Sequence, residues 1–130
     1  MPGTKVRSVM EHKKLLKTSP DTTVAKAAKL MGIKRVGAIA VVDGNRLVGI
    51  FTERDALFRV VAHGRDPLTT LVGEVMTPAP HTVGPDDLYM HALDTMRRNG
   101  FRHLPVVENG EPVGLVSSRA MPPAAADAAE

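Results

Sequence analysis

A hydroxyl and a carboxylate stand three residues apart at Thr52 and Asp55, directly after the apolar run at 48–51. The run predicts a buried strand, and Thr-x-x-Asp after it predicts the first turn of a helix, where backbone N–H groups lack partners within the helix. Such a corner can hold a sugar or a phosphate. The same two residues also fit a helix cap in which each side chain bonds to the other's backbone. Taken alone, the short motif favours the cap.

The pattern around Gly49 returns around Gly114, a shift of 114 − 49 = 65 residues. The same shift relates further pairs of identical residues, namely Pro20 and Pro85, Asp21 and Asp86, Met31 and Met96, and Arg54 and Arg119. The chain is therefore predicted to contain two copies of one unit of about sixty residues, each burying its apolar face against a neighbour. Within a duplicated pattern, we favour the binding interpretation of Thr52 and Asp55, and both roles can hold at once.

Each copy predicts a helix, two strands joined by a tight turn, and a second helix. In the first copy, Asp21 is expected to cap a helix that ends near Gly32, and the turn falls at 43–45. The last helix is expected to run from Thr52 to about residue 62. Its inward-facing residues are predicted to be Ala56, Leu57, Val60 and Val61.

The second copy has the same predicted order. Asp86 and Asp87 are expected to cap its first helix and Gly100 to end it, while the prolines at 122 and 123 should cut its last helix short. The predicted domains are residues 1–64, the first repeat with a lead-in segment; 65–121, the second repeat with a linker; and 122–130, a flexible tail.

Composition narrows the class of protein. A chain of 130 residues can bury one shared core, and the absence of cysteine excludes disulfides and thiolate metal sites. No apolar stretch approaches the length of a membrane span, so we expect a cytoplasmic protein without a membrane partner. The net charge of +3 comes from scattered lysines and arginines, which gives little support for nucleic-acid binding but suits an anionic small molecule.

Catalytic groups in a recognisable arrangement are absent from the sequence. It contains no plausible Ser-His-Asp, Cys-His or paired-carboxylate setting, and no glycine-rich loop of the kinds that bind nucleotide phosphates in enzymes. Four of the five histidines, at 12, 63, 81 and 91, have no metal-ligand spacing with acidic partners. The sequence therefore predicts a protein that is not an enzyme and binds no metal ion.

Four stretches, at 35–42, 49–55, 101–107 and 114–119, occur in the order found in a known family. In each copy an apolar strand is followed by a hairpin and then by a Gly-apolar-apolar-(Ser/Thr) turn, and together the four stretches resemble the CBS domain. Two in tandem resemble a Bateman module. The resemblance implies an α+β (or α/β) fold of two β-β-α repeats with pseudo-two-fold symmetry, in which small sheets pack with helices.

The resemblance also implies a regulatory module that binds an adenosyl ligand between its repeats. AMP, ADP or ATP is expected first, with NAD(H) or S-adenosylmethionine as alternatives. By position in the family pattern, Asp55 would bind the ribose hydroxyls and Thr52 the ribose or phosphate. The adenine would lie among Ile50, Phe101, Leu104, Pro105, and His81, Thr82 and Val83. The phosphates would be surrounded by Arg35, Arg102, His103 and Arg119, and Arg54 is included in the candidate site.

One departure from the family pattern limits the number of sites. Ala120 stands where the first copy has Asp55, and Gly37 and Ala38 stand where the second copy has Arg102 and His103. We therefore expect one competent nucleotide site rather than two. The resemblance further implies a homodimer that signals to an effector protein. The alternative hypothesis is a structural dimerisation or interaction module that binds no ligand.

Overall fold

The computed structural model describes residues 3–10 and 15–119 of the chain. They form two compact units: a central unit, Leu15–Pro80, and a flanking unit made of the described residues on either side, 3–10 and 81–119. Both contain helices and strands, which confirms the predicted mixed fold of small sheets and helices. Three predictions concern residues outside the described ranges: the one for Ala120, the shortening of the last helix by the prolines at 122 and 123, and the tail at 122–130.

The central unit is built on a small sheet. Its elements are β1 (Lys17–Thr18), α2 (Val24–Lys34), β2 (Ala38–Asp43), β3 (Arg46–Thr52), α3 (Glu53–Asp55), a π-helical segment (Ala56–Val61), α4 (Val72–Val75) and β4 (Thr77–Pro78). The four strands lie in the order β1-β2-β3-β4. Strand β1 runs parallel to β2, and the other neighbouring pairs are antiparallel. Gly44, with a φ of 65°, allows the tight turn between β2 and β3.

Helix α2 begins and ends at residues other than those expected. Its cap is Thr23, whose Oγ1 accepts a hydrogen bond of 3.3 Å from the Lys26 N–H, and not Asp21. Its left-handed terminal residue is Arg35, with a φ of 55°, and not Gly32. The apolar face of the helix packs on the sheet. The core of the central unit comprises Val24, Ala27, Met31, Ile39, Val41, Phe51, Val60, Val72 and Val75.

The helix after β3 changes its pitch at Ala56 and continues as a π-helix. The Ala62 N–H bonds to the Leu57 carbonyl at 2.9 Å, which is the i→i+5 spacing of that form. The wider turn rotates the side chains: Val60 is buried, whereas Leu57 is 52% and Val61 68% exposed. The prediction that Leu57 and Val61 face inward was therefore wrong, because it assumed α-helical periodicity.

The segment that opens the second sequence repeat packs in the central unit, against the strands of the first repeat. Strand β4 pairs with β3, placing Thr77 opposite Ile50 and Pro78 opposite Gly49. The side chain of Met76 covers Gly49 so closely that a methyl group on Gly49 would overlap its sulfur. The two compact units therefore combine segments from both sequence repeats.

The flanking unit pairs the N-terminal segment with the second repeat in the same way. The Val6 N–H bonds to the Asp87 carbonyl at 2.8 Å, and Met10 lies over Gly114. Its core contains Val6, Val83, Tyr89, Ala92, Met96, Leu104, Val106 and Val116. Its elements are α1 (Val6–Val9), α5 (Tyr89–Asn99), β5 (His103–Glu108) and β6 (Glu111–Ser117), with β5 and β6 antiparallel.

Helix α5 ends as predicted, at Gly100 with a φ of 71°, but it starts differently. Its N-cap is Leu88, and the Asp87 carboxylate instead accepts a hydrogen bond of 2.7 Å from the Gly84 N–H in the preceding turn. Asp86 pairs with Arg7. In the part of the chain that the structure describes, no helix has the length and apolar character needed to cross a membrane.

Candidate functional site

The corner formed by Thr52 and Asp55 is a complete capping box. Strand β3 ends at Thr52, whose backbone is extended, and α3 begins at the next residue. The Thr52 Oγ1 accepts a hydrogen bond of 3.2 Å from the Asp55 N–H, and Asp55 Oδ2 accepts one of 2.9 Å from the Thr52 N–H. The cap predicted from the short motif is therefore present.

The two oxygens of the Asp55 carboxylate have different surroundings. Asp55 is 7% exposed, and its Oδ2 also lies 3.1 Å from the Thr52 hydroxyl. Its Oδ1 has longer contacts, 3.4 Å to the Thr77 hydroxyl and 3.5 Å to the Arg59 Nε. A carboxylate oxygen can accept more than one hydrogen bond. The cap thus occupies Oδ2, while Oδ1 retains capacity to accept a hydrogen bond.

Arg59 and Thr77 complete this corner, and neither was among the predicted site residues. Arg59 lies one helical turn after Asp55, so an i,i+4 ion pair was a signal available in the sequence. Its Nη1 also donates to the Met76 carbonyl at 2.9 Å. Thr77 belongs to the segment that opens the second sequence repeat, but no local pattern predicts that β4 would bring it beside a residue 22 positions earlier.

The other predicted site residues of the central unit differ in burial, since one is buried and two are exposed. Ile50 is buried on β3 between its partners Ala40 and Thr77. Arg54 is exposed and lies with its guanidinium 5.9 Å from the centre of the Phe58 ring. Arg35 is exposed at the end of α2.

In the flanking unit, the structure brings the predicted residues together at one end of the β5–β6 hairpin. His103 pairs with Ser117, and the Ser118 N–H donates to the Arg102 carbonyl at 2.9 Å. The Arg119 N–H donates to Ser117 Oγ at 3.3 Å. Arg102 and Arg119 are exposed and His103 is half-buried, so two exposed arginines belong to the end of the hairpin.

Two further contacts concern the residues expected around an adenine. The rings of His81 and Phe101 lie 5.4 Å apart at an angle of 49°. Pro105 is buried on β5, and its carbonyl accepts a hydrogen bond of 3.1 Å from the Val83 N–H, which fixes the exposed Thr82 beside that strand. This hydrogen bond therefore holds the 81–83 segment close to β5.

Tyr89 anchors the strand end that carries Ser117. Its hydroxyl donates to the Ser117 carbonyl at 3.0 Å, and the residue is 1% exposed. Burial raises the pKa of the Tyr89 hydroxyl, which favours the neutral form that can donate this bond. This contact was not predicted from the sequence, although a tyrosine at an apolar helix position needs a partner for its hydroxyl.

The chemistry of these groups is that of hydrogen bonding and charge. Over residues 3–10 and 15–119, no group of three or more His, Asp or Glu side chains is placed to hold a metal ion. Within the same ranges, every buried side-chain nitrogen or oxygen has a hydrogen-bond partner. The corner at Asp55 can accept hydrogen bonds from a polyol, and the hairpin end can attract an anion.

Comparison with known proteins agrees with the repeat pattern. The family profile of the CBS domain matches the chain twice, over residues 6–62 and 72–121. The CBS domain-containing protein CBSCBSPB2 of Arabidopsis thaliana is 44% identical over 104 residues, which cover 79% of this chain. The matched region is 19% of that plant protein's length, so the plant protein is much longer than this chain.

Solved structures share the fold of the chain. A protein with CBS domains from Burkholderia ambifaria MC40-6, whose name proposes a role in signal transduction, has a TM-score of 0.82 and 34% identity over 88% of each chain. The CBS domain pair of protein MJ0100, solved in complex with 5′-methylthioadenosine and S-adenosyl-L-methionine, has a TM-score of 0.81 and 25% identity. That match covers 90% of this chain and 91% of the other. The duplicated pattern, the family match and the shared fold show that the chain belongs to the CBS domain family and carries two copies of the domain.

Proposed function

We propose that the chain is a regulatory module that binds an adenosyl ligand through the Thr52–Asp55 corner. The observation that carries the proposal is the division of the Asp55 carboxylate, with Oδ2 used by the helix cap and Oδ1 contacted at the longer distances of 3.4 and 3.5 Å. A ribose hydroxyl donating to Oδ1 would form a charge-assisted hydrogen bond in a partly desolvated place, where such a bond is strong.

The adenosyl class is supported by the MJ0100 domain pair, which was solved with two adenosyl compounds. We propose AMP, ADP or ATP as the first candidates, because two exposed arginines, Arg35 and Arg54, accompany the candidate site residues of the central unit. NAD(H) and S-adenosylmethionine are the alternatives. Weaker binding at higher salt would indicate that phosphate charge contributes.

One ligand per chain is the proposed stoichiometry. Asp55 has no acidic counterpart in the second repeat, where Ala120 occupies the position. The bound ligand would be sensed rather than converted, and its effect would be passed to an effector protein. Ligand binding transmits a signal only if the ligand contacts two arrangements of the protein differently.

The test is a thermal-shift and calorimetry panel of AMP, ADP, ATP, NAD(H), S-adenosylmethionine and 5′-methylthioadenosine. At a ligand concentration of about 100 times Kd, binding should raise the free energy of unfolding by roughly 2.7 kcal/mol. This corresponds to several degrees in Tm for a chain of this size. If no compound in the panel changes Tm and none releases heat, the proposal is wrong.

A matched pair of variants separates ligand binding from helix capping. Glu74 has the same capping role as Asp55, since its Oε1 accepts a hydrogen bond of 3.2 Å from the Leu71 N–H at the start of α4. Asp55→Asn keeps a capping oxygen but removes the charge, and should weaken binding about tenfold or more. Glu74→Gln makes the same chemical change at the other cap and should leave Kd unchanged.

A second function, assembly into a homodimer, is favoured by the exposed apolar side chains of the π-helical segment. Leu57, Phe58 and Val61 are 52%, 55% and 68% exposed on one short helix. Exposed apolar clusters of this kind mark association surfaces. Light scattering should give a dimer for the wild type and a monomer for Leu57→Glu with Val61→Glu. Leu68→Glu, at a 72% exposed position outside the helix, is the control and should remain dimeric.

A further inference from the structure

Arg59 connects the Asp55 carboxylate to the backbone at the end of α4. Its Nε lies 3.5 Å from Asp55 Oδ1, while its Nη1 donates to the Met76 carbonyl at 2.9 Å and lies 3.4 Å from the Val75 carbonyl. The last carbonyls of a helix have no partner within the helix, so they are available to a cation. The guanidinium therefore contacts the carboxylate through Nε and the backbone through Nη1.

The capping box restrains only one oxygen of Asp55. Both bonds from Thr52, from its N–H at 2.9 Å and its hydroxyl at 3.1 Å, reach Oδ2. With Oδ2 fixed alone, the carboxylate can still pivot and move Oδ1. The contacts that limit this pivot come from Arg59 and from the Thr77 hydroxyl, and Arg59 is the charged one.

We propose that Arg59 is a positioning residue that holds Asp55 Oδ1 in the place where a ribose hydroxyl donates to it. The inference rests on the proposed function and assigns a role to a residue that the sequence pattern did not include in the site. Arg59 does not touch the ligand; it acts through Asp55. Because the same guanidinium binds the Val75 and Met76 carbonyls, the position of Oδ1 depends on the segment that opens the second sequence repeat.

The geometry requires arginine. Its planar group presents Nε and Nη1 in fixed relative directions, so that one can face a carboxylate while the other donates to backbone carbonyls. Lysine has one ammonium group and cannot hold this arrangement of separate donors in a fixed plane. Arg59→Lys should therefore keep the charge but only part of the positioning, and Arg59→Met should remove both.

The experiment measures ribose discrimination rather than affinity alone. Kd is measured by calorimetry for AMP and 5′-methylthioadenosine and for their 2′-deoxy and 3′-deoxy analogues. In the wild type, loss of the recognised hydroxyl should weaken binding about tenfold or more. In Arg59→Met this ratio should fall to about threefold or less, with Arg59→Lys between the two and Kd for the deoxy analogues nearly unchanged. Arg46→Met, at an exposed arginine at the other end of β3, should keep the wild-type ratio.

The other outcomes overturn the inference in distinguishable ways. An unchanged ratio in Arg59→Met, equal weakening of all ligands, or tighter binding would show that Arg59 does not position Oδ1, while the proposed function would stand. Binding by the wild type without ribose discrimination would also overturn the role of Arg59. No binding of any ligand by the wild type would overturn the proposed function and this inference together. Should Arg59→Met fail to fold, the ratio in Arg59→Lys decides.

Discussion

Thr52 and Asp55 each bond to the other's backbone, and they do so with atoms that leave Asp55 Oδ1 outside the cap. The structural and the ligand-binding interpretations of Thr-x-x-Asp are therefore compatible. Capping holds Asp55 Oδ2 at the start of α3. The cap therefore restrains one oxygen of the candidate acceptor, while the contacts of Oδ1 come from Arg59 and Thr77.

Two replacements of Thr52 should separate the effect of its hydroxyl on stability from the effect of its side-chain shape. Thr52→Val removes the acceptor for the Asp55 N–H and should lower the free energy of unfolding by about 1 kcal/mol. Thr52→Ser keeps the acceptor and should cost much less. Urea denaturation of the two variants measures the difference. Equal losses in both would contradict a capping role for the hydroxyl.

Two glycines in the central unit should respond to alanine in opposite directions. A methyl group on Gly49 would overlap the Met76 sulfur and lie 3.0 Å from the Thr77 carbonyl oxygen, so Gly49→Ala should destabilise the fold by about 1–3 kcal/mol. Gly32 lies within α2 with nothing within 4 Å of an added methyl group, so Gly32→Ala should stabilise it by about 0.5–1 kcal/mol.

Thermal unfolding of these two variants checks the packing of β4 on β3. A neutral effect of Gly49→Ala would mean that Met76 and Thr77 do not lie against that strand. Since Thr77 contacts Asp55, that result would also count against the geometry of the candidate site.

Local features of the fold could be predicted from the sequence because their causes are local. The capping box spans four residues, and the end of α5 needs only a residue that accepts a positive φ, which Gly100 supplies. The duplication could be read directly from the shift of 65 residues between Gly49 and Gly114. Repetition made individually weak patterns informative.

Features that depend on distant segments, or on a choice between two local arrangements, could not be predicted. The neighbours of Asp55 Oδ1 include Thr77, which β4 brings in from 22 residues away. The exposure of Leu57 and Val61 follows from the π-helical pitch, and an α-helical period assigns them to the wrong face. The predicted start of α5 was wrong because Asp87 bonds backward to Gly84 instead of capping the helix.

Tyr89 should make the stability of the protein fall at alkaline pH. Burial raises the pKa of its hydroxyl above the ordinary value of 10.0, so its contribution is fully present below pH 10 and is lost as pH rises through the folded-state pKa. Tyr89→Phe should lose about 1 kcal/mol at neutral pH, because the Ser117 carbonyl loses its donor. Urea denaturation between pH 8 and about 11 should show less alkaline loss in the variant than in the wild type. A variant with the wild-type alkaline slope would refute this assignment.

Asp86 should titrate at a lower pH than an ordinary carboxyl because it pairs with Arg7 at the surface of the flanking unit. The hydrogen bond from Arg7 lowers the pKa of the Asp86 carboxyl below its ordinary value of 3.8. The stabilisation is therefore present above that value and is lost as pH falls through the lower folded-state pKa. Carboxyl NMR titration should give a higher Asp86 pKa in Arg7→Ala and in high salt, which screens an exposed pair. An Asp86 pKa that responds to neither change would contradict the pairing.

The crystal structure of the chain with an adenosyl ligand from the panel tests the central claim most directly. We predict a ribose hydroxyl within about 3.2 Å of Asp55 Oδ1, with the Thr52 N–H still bonded to Oδ2 and Arg59 still on the Val75 and Met76 carbonyls. A bound ligand whose ribose makes no contact with Asp55 would contradict it.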